Sequence, residues 1–209
     1  MTKVWADFHC PYCYLGIARL KQAMEELALH DAEISVRSYL LNPDTPPETD
    51  ILITDYVVNQ YDAKREIVRR QNALLERKGR VLGLEMDLEK ARFSDMFPAH
   101  RLLQHMNTLG KGSAFFERAQ RALFYEGQLL SDHETLIALA EEIGVPREET
   151  MGVLLSDRYK EEVLSDDREA REKEIDFVPY YEFADGNTMS GERTYEEYLA
   201  ALRRAKKTL

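Results

Sequence analysis

The chain has 209 residues, of which 44% are hydrophobic and 32% charged. That length and balance exclude a disordered or fibrous chain and allow a sizeable core without disulfide staples. The formal net charge of −10 argues against nucleic acid or an anionic membrane as the main partner.

No apolar run has the length needed to cross a bilayer. The first residues, Met1 to Asp7, carry a charge at Lys3 where an export signal needs its apolar stretch, so a cytoplasmic location is expected. Val4 to Phe8 is β-branched and aromatic, the pattern of a short buried strand. The only two cysteines follow, as Cys10-Pro11-Tyr12-Cys13. Beyond them Ile17, Leu20, Met24 and Leu27 recur at helical spacing, which puts the dithiol at a strand-to-helix junction. Pro11 suits a first helical turn, where a missing N–H costs nothing.

Two cysteines cannot build a disulfide scaffold. A tetrahedral zinc site needs four ligands, and no second Cys-x-x-Cys or ligand-spaced His pair exists, so no metal is expected. Inert buried cysteines are the bland alternative; redox chemistry is the favoured reading. Only a thiolate attacks a disulfide, and the free N–H groups and positive end of a helix stabilise one. Cys10, first in the chain, is expected to be the exposed, acidic, attacking thiol. Cys13, about one turn deeper, is expected to resolve the mixed disulfide. Thiols so placed have pKa values from ~3.5 to ~7.5.

Glu33 to Leu40 alternates apolar and polar, a second strand that completes a βαβ unit. Asn42-Pro43-Asp44-Thr45-Pro46-Pro47 then breaks regular structure. From about 50 to 174 nearly everything reads as helix. Asp62 is placed as the cap of a helix running through Ile67, Leu74 and Leu75 to Gly83. Ser94-Asp95 precede a helix with Pro98 in its first turn. Phe115, Phe116, Ala119, Ala122 and Leu123 form a further apolar stripe. Ser131 to Glu134 resembles a capping box before a helix that stops at Gly144. The charges from Asp166 to Glu174 read as a solvated helix face with i,i+4 pairs. Phe177 to Phe183 reads as a strand, although Pro179 cannot donate to a central ladder. A turn at Asp185-Gly186-Asn187 leads to a strand near Thr188 to Ser190, and Thr194 can cap a last helix from Tyr195 to Lys206.

This order resembles the thioredoxin fold, specifically the DsbA-like branch with a helical insertion, and within it the cytosolic FrnE-like dithiol–disulfide oxidoreductases. The resemblance rests on Asp7 to Gly16, Leu41-Asn42-Pro43, Ala99-His100-Arg101-Leu102, Gly127 to Asp132 with its helix, Val178-Pro179 and Ser190-Gly191. It implies an α/β thioredoxin fold interrupted by an all-helical insertion domain. The expected boundaries are 1–44 and 166–209 for the two parts of the thioredoxin fold and 45–165 for the insertion. It also implies that the Val178–Pro179 bond is cis and faces the dithiol, where a cis X–Pro exposes backbone groups to a substrate strand. The chain departs from the family's pattern at Tyr12, where many members carry Trp, at Asp176-Phe177, where glycine is usual, and at Glu192-Arg193, where Ala-Gln is frequent.

The expected function is disulfide exchange catalysed by Cys10 and Cys13, with substrate contacts from Val178, Pro179, Tyr12, His9 and His100 and no cofactor. Partners are protein or small-molecule thiols and disulfides, glutathione among them, with no nucleic acid and no membrane. Alternatives are a glutathione-dependent transferase or isomerase on the same fold and a non-enzymatic protease adaptor. Some residues keep two readings. His9 either lowers the Cys10 pKa by its charge or turns to solvent. Asp7 either caps the following helix, the favoured reading, or accepts the Cys13 proton. His100 either lines a groove between domains or is structural.

Overall fold

A computed structural model describes residues 1–30 and 32–206. The first strand, β1 (Thr2–Ala6), buries Val4, Trp5 and Ala6 completely and sits inside the sheet. It runs parallel to β2 (Ile34–Ser38), Val4 opposite Val36, through the intervening helix α1 (Pro11–Glu26). A parallel pair needs such a crossover, because a tight turn can only reverse the chain. On its other side β1 pairs antiparallel with β5 (Tyr180–Glu182), which pairs with β6 (Thr188–Ser190), giving the order β2-β1-β5-β6. The first strand ends two residues earlier than its sequence pattern suggests. Phe8, though fully buried, lies in the loop that carries the chain toward the dithiol.

Between β2 and β5 the chain is helical apart from one short ribbon. The elements are β3 (Ile51–Leu52), α2 (Ile53–Gln60), α3 (Arg65–Val81), β4 (Arg92–Phe93), α4 (Phe97–Thr108), α5 (Gly112–Arg121), a π-turn at Ala122–Glu126, α6 (His133–Glu142), α7 (Arg147–Leu154) and α8 (Lys160–Glu172). The β3–β4 ribbon has no sequence signal, since two residues a side carry no periodicity. Asp62 caps nothing. It adopts a left-handed φ of 47°, and α3 starts from Lys64. The capping box expected over Ser131 to Glu134 shifts by one residue: Asp132 caps α6, its carboxylate accepting from Thr135 N–H at 2.8 Å. The last helix, α9 (Tyr195–Lys206), opens on a reciprocal box: Thr194 Oγ1 accepts from Glu197 N–H, and the Glu197 carboxylate accepts from Thr194 N–H.

The main core runs from the sheet through α1 and α9 into α4, α5 and α6. A second cluster, Trp5, Tyr39, Ala170 and Ile175, seals the sheet against α8. Here the acidic run departs from a solvated face. Asp167–Arg171 and Glu169–Lys173 form the expected i,i+4 pairs, but Asp166 turns inward and is 4% exposed. Its carboxylate accepts from Arg37 at 2.8 Å, Ser38 N–H at 2.9 Å and the Gln104 amide at 2.5 Å. The buried anion is held because three donors from other elements replace its water.

Candidate active site

Cys10 is the N-cap of α1, with extended backbone (φ −88°, ψ 104°), and Pro11 takes the first helical position. Cys13 closes the first turn, its N–H donating to Cys10 C=O at 3.0 Å. The two thiols are free and close enough that each acts on the other's ionisation. Cys10, placed in the exposed role by its position in the chain, is only 6% open; Cys13 is fully covered. The order of accessibility therefore holds while the degree does not, because the segment before β5 lies over the helix start. Burial, then the hydrogen bond and charge of Cys10, push the Cys13 thiol well above its ordinary range.

The covering segment is the one with the unexplained proline. Val178–Pro179 is cis, and the Cys10 thiol donates to Val178 C=O at 3.6 Å. Gly16 permits this approach. A Cβ there would stand 2.9 Å from Pro179 Cγ and 2.3 Å from Tyr181 Oη. Tyr181 is fully buried and bonded to Tyr198 Oη at 2.7 Å. Tyr12 stays partly open. Its hydroxyl accepts from the Gln71 amide at 2.8 Å, and Lys78 Nζ lies 5.9 Å from its ring centre. With Phe177, Val178, Ser190, Gly191, Glu192 and Arg193 it lines a shallow pocket of about 330 Å³.

Asp7 lies beneath the dithiol, 2% exposed, and does not cap α1. One carboxylate oxygen accepts from His9 N–H at 2.7 Å; the other accepts from Leu41 N–H at 3.0 Å and faces His100 Nε2 at 3.5 Å. Burial alone would raise its pKa. The His100 and His9 side chains and the Leu41 N–H outweigh that and hold it below the usual carboxylate range. His9 fits neither sequence reading. Its ring is buried, stacks on Phe93 at 4.4 Å and accepts from Ser94 N–H at 3.4 Å. Burial pulls its pKa down to about 4, so it carries no charge at neutral pH. His100 lines no groove. It is 0% exposed and packs edge-on against Phe8, because its helix turns that face into the core.

One group at the site had no sequence signal. The Gln120 amide donates to the carbonyls of Asp7, Phe8 and Cys10 at 3.2 to 3.5 Å, clamping the loop that presents the dithiol. A glutamine in an apolar helical stripe says nothing about carbonyls 110 residues away. The other is Glu192, whose carboxylate binds both Arg19 of α1 and Lys78 of α3 at 2.6 and 2.5 Å. The three residues border a larger cleft of about 640 Å³ with Arg193 and Tyr195. The Glu192-Arg193 departure from the family's pattern could have drawn attention to it. Among the described residues no group of three His, Cys, Asp or Glu stands in metal-holding geometry, and no helix is long and apolar enough to cross a membrane.

Residues 2–203 match the model of the DSBA-like thioredoxin domain family. Among solved structures, the probable DsbA oxidoreductase of Streptomyces coelicolor is 26% identical, with a TM-score of 0.92 over 100% of this chain and 90% of that one. The cytosolic disulfide reductase DsbM of Pseudomonas aeruginosa shares the fold at 17% identity, with a TM-score of 0.65 over 100% of this chain and 99% of its own. Protein YwbO of Bacillus subtilis, itself uncharacterized, is 26% identical over 147 residues; that is 68% of this chain and 66% of YwbO, just under two thirds of its length.

Proposed function

Because the chain belongs to the DSBA-like thioredoxin domain family, we propose that it is a thiol–disulfide oxidoreductase in which Cys10 exchanges with substrate and Cys13 resolves. The observation that carries this reading is the meeting of three groups at the start of α1: the Cys10 sulfur, the Cys13 sulfur and the Val178 carbonyl. In the reductive direction the Cys10 thiolate attacks a substrate disulfide R–S–S–R′. A Cys10–S–S–R bond forms and R′–S⁻ leaves. Cys13 then loses its proton and attacks Cys10 Sγ, forming Cys10–Cys13 and releasing R–S⁻; two electrons pass from the dithiol to the substrate. The oxidative direction is the reverse, and the compartment's poise selects between them.

The parts have separate tasks. The first turn of α1 offers unpaired N–H groups and a positive dipole end to an anion at Cys10. The backbone at Val178 pairs with an extended segment of substrate beside that sulfur. The thioredoxin part comprises 1–44 and 166–209, and 45–165 is the insertion that walls the approach through α3. The substrate is a protein or small-molecule disulfide. The cleft of about 640 Å³ with Arg19, Lys78 and Arg193 has the size and cations for a tripeptide thiol, and the DsbM fold relative has been solved with GSH. A reducing, cytoplasmic setting fits this reading, as for that relative.

The test is turnover of glutathione disulfide and of a disulfide-bonded protein by the reduced chain. Cys10→Ser is expected to abolish both, and Cys13→Ser to accumulate a mixed disulfide at Cys10. Full turnover by Cys10→Ser removes the reading.

A further inference from the structure

The helix α3 carries charge of the opposite sign to the molecule as a whole. It holds six basic residues and two acidic ones, in a chain whose formal net charge is −10. Its inner face, Val68, Asn72, Leu75 and Gly79, is buried, with α1 and α2 as its neighbours. Away from that face Ile67, Leu74 and Val81 stand 60%, 46% and 80% exposed. Spaced seven apart, they form one apolar row roughly 21 Å long. Single exposed apolar side chains are ordinary; an aligned row on one helix marks an interaction surface. Two polar rows flank it at i,i+3 and i,i+4 spacing. Gln71 and Lys78 lie on the side of the dithiol, where both meet Tyr12. Arg70 and Arg77 lie on the far side, exposed. Arg65, Arg69 and Lys78 are paired with Asp55, Glu89 and Glu192, whereas Arg70 and Arg77 have no ion pair among the described residues. Val81 and Lys78 also border the cleft of about 640 Å³, so the row runs into the site.

We propose that this face of α3 docks an acidic, amphipathic helical segment of a protein substrate and so brings that protein's disulfide to Cys10. This rests on the exchange reading, whose substrate it narrows to disulfides of acidic polypeptides. Charge selects the occupant. Carboxylates on the incoming helix pair with Arg70 and Arg77, and its apolar residues, one every two turns, cover Ile67, Leu74 and Val81, as when one amphipathic helix lies along another. A second copy of this chain is the wrong partner. A two-fold contact between two α3 faces sets Arg70 and Arg77 against their own copies, and like charges there repel. A long polyanion or an anionic membrane meets the repulsion of the whole chain's −10. A short segment meets only the local field, because exposed charges beyond ~8 Å are screened at physiological salt. The bond from Gln71 to Tyr12 sets the docked segment alongside the pocket that Tyr12 shares with Val178.

Three disulfides separate docking from exchange. Two are peptides, each a cysteine joined by a glycine–serine spacer to a helix with leucine at every seventh position, and each closed as a disulfide with the same small thiol. The helix carries glutamates in one and lysines in the other. The third is glutathione disulfide. The reduced chain is expected to reduce the acidic peptide with a kcat/KM at least ~10-fold above that for the basic one, a margin that shrinks in high salt. Arg70→Glu combined with Arg77→Glu inverts the order of the two peptides. It leaves glutathione disulfide within about twofold, since neither arginine borders the cleft or the Tyr12 pocket, and that turnover shows the double variant to be folded. Leu74→Ser lowers kcat/KM for the acidic peptide by ~3-fold or more, as apolar cover is lost. Equal kcat/KM for the two peptides, or an order that survives the double reversal, overturns the proposal. So does binding to vesicles of phosphatidylcholine and phosphatidylserine that the double reversal abolishes, which gives the face to a membrane, or a dimer in sedimentation that it dissociates. A wild-type chain that turns over none of the three refutes the exchange reading. Fluorescence anisotropy of a labelled, cysteine-free acidic peptide then decides docking by itself: binding to the wild type that the double variant loses supports the face, and no binding to the wild type removes it.

Discussion

The Cys10 thiol donates to the carbonyl oxygen of Val178 at 3.6 Å, joining residues 168 positions apart. The sulfur proposed to react and the backbone group proposed to align a substrate are thus brought together from two different ends of the chain. The contact depends on α1 lying close to the Pro179 ring, and that closeness depends on Gly16.

Gly16→Ala is expected to destabilise the protein by about 1–3 kcal/mol, the cost of overpacking. The added methyl meets Tyr181 Oη at 2.3 Å and Pro179 Cγ at 2.9 Å, and neither the fully buried tyrosine nor the proline ring can turn away. Urea unfolding measures the loss, and exchange activity should fall with it as Val178 moves from Cys10. A variant as stable and as active as the parent contradicts this account.

Stability should decline in acid through His9. Its folded pKa is about 4, below the ordinary histidine value of 6.5, with burial the largest cause. The unfolded chain therefore binds a proton between these values that the folded chain refuses, and stability falls as pH drops through that window. The loss approaches on the order of 3 kcal/mol by its lower end. Asp7, whose pKa is depressed, contributes above its unfolded value and loses that contribution only at still lower pH. Denaturant titrations at several pH values between about 7 and 4 should show a shallower decline for His9→Gln; parallel curves exclude the histidine as the cause.

Asp166→Ala should cost about 3 kcal/mol, the lower end for breaking a buried ion pair. It strips a partner from Arg37, Ser38 N–H and Gln104 together. The thermal midpoint checks it, with Glu161→Ala as the comparison: that residue's pair with Arg168 is exposed on both sides, and its loss should be nearly silent.

Glu192→Gln is expected to strengthen use of an anionic disulfide. The carboxylate occupies both Arg19 and Lys78, so its neutralisation releases two cations at the cleft. KM for glutathione disulfide should fall about fivefold, the equivalent of ~1 kcal/mol of freed ion pairing. The gain should fade in high salt. A rise in KM reverses the assigned role of Glu192.

Much of the scaffold was legible without coordinates because it is encoded locally. The β1–α1–β2 order, the start of α6 to within one residue, the cap at Thr194, the helical middle and the Pro179 anomaly all come from periods, caps and turn residues within a few positions of one another. Two-residue strands such as β3 and β4 are too short to carry a period. Asp62 resembled a cap because capping residues also favour the left-handed turn it adopts.

The sequence by itself determined the chemistry available at the start of α1: two thiols one turn apart, a proline between them, and a second proline out of place in a strand. Only the tertiary structure decided which groups surround those thiols. Cys10 was expected in the open and lies 6% exposed; His9 and His100 were expected near substrate and are enclosed; Asp7 was expected as a cap and pairs with a histidine from α4. Spacing along the chain determines which side chains share a helix face or a turn. Burial and charge at a site are sums over neighbours from distant segments, and those exist only once the chain has closed on itself.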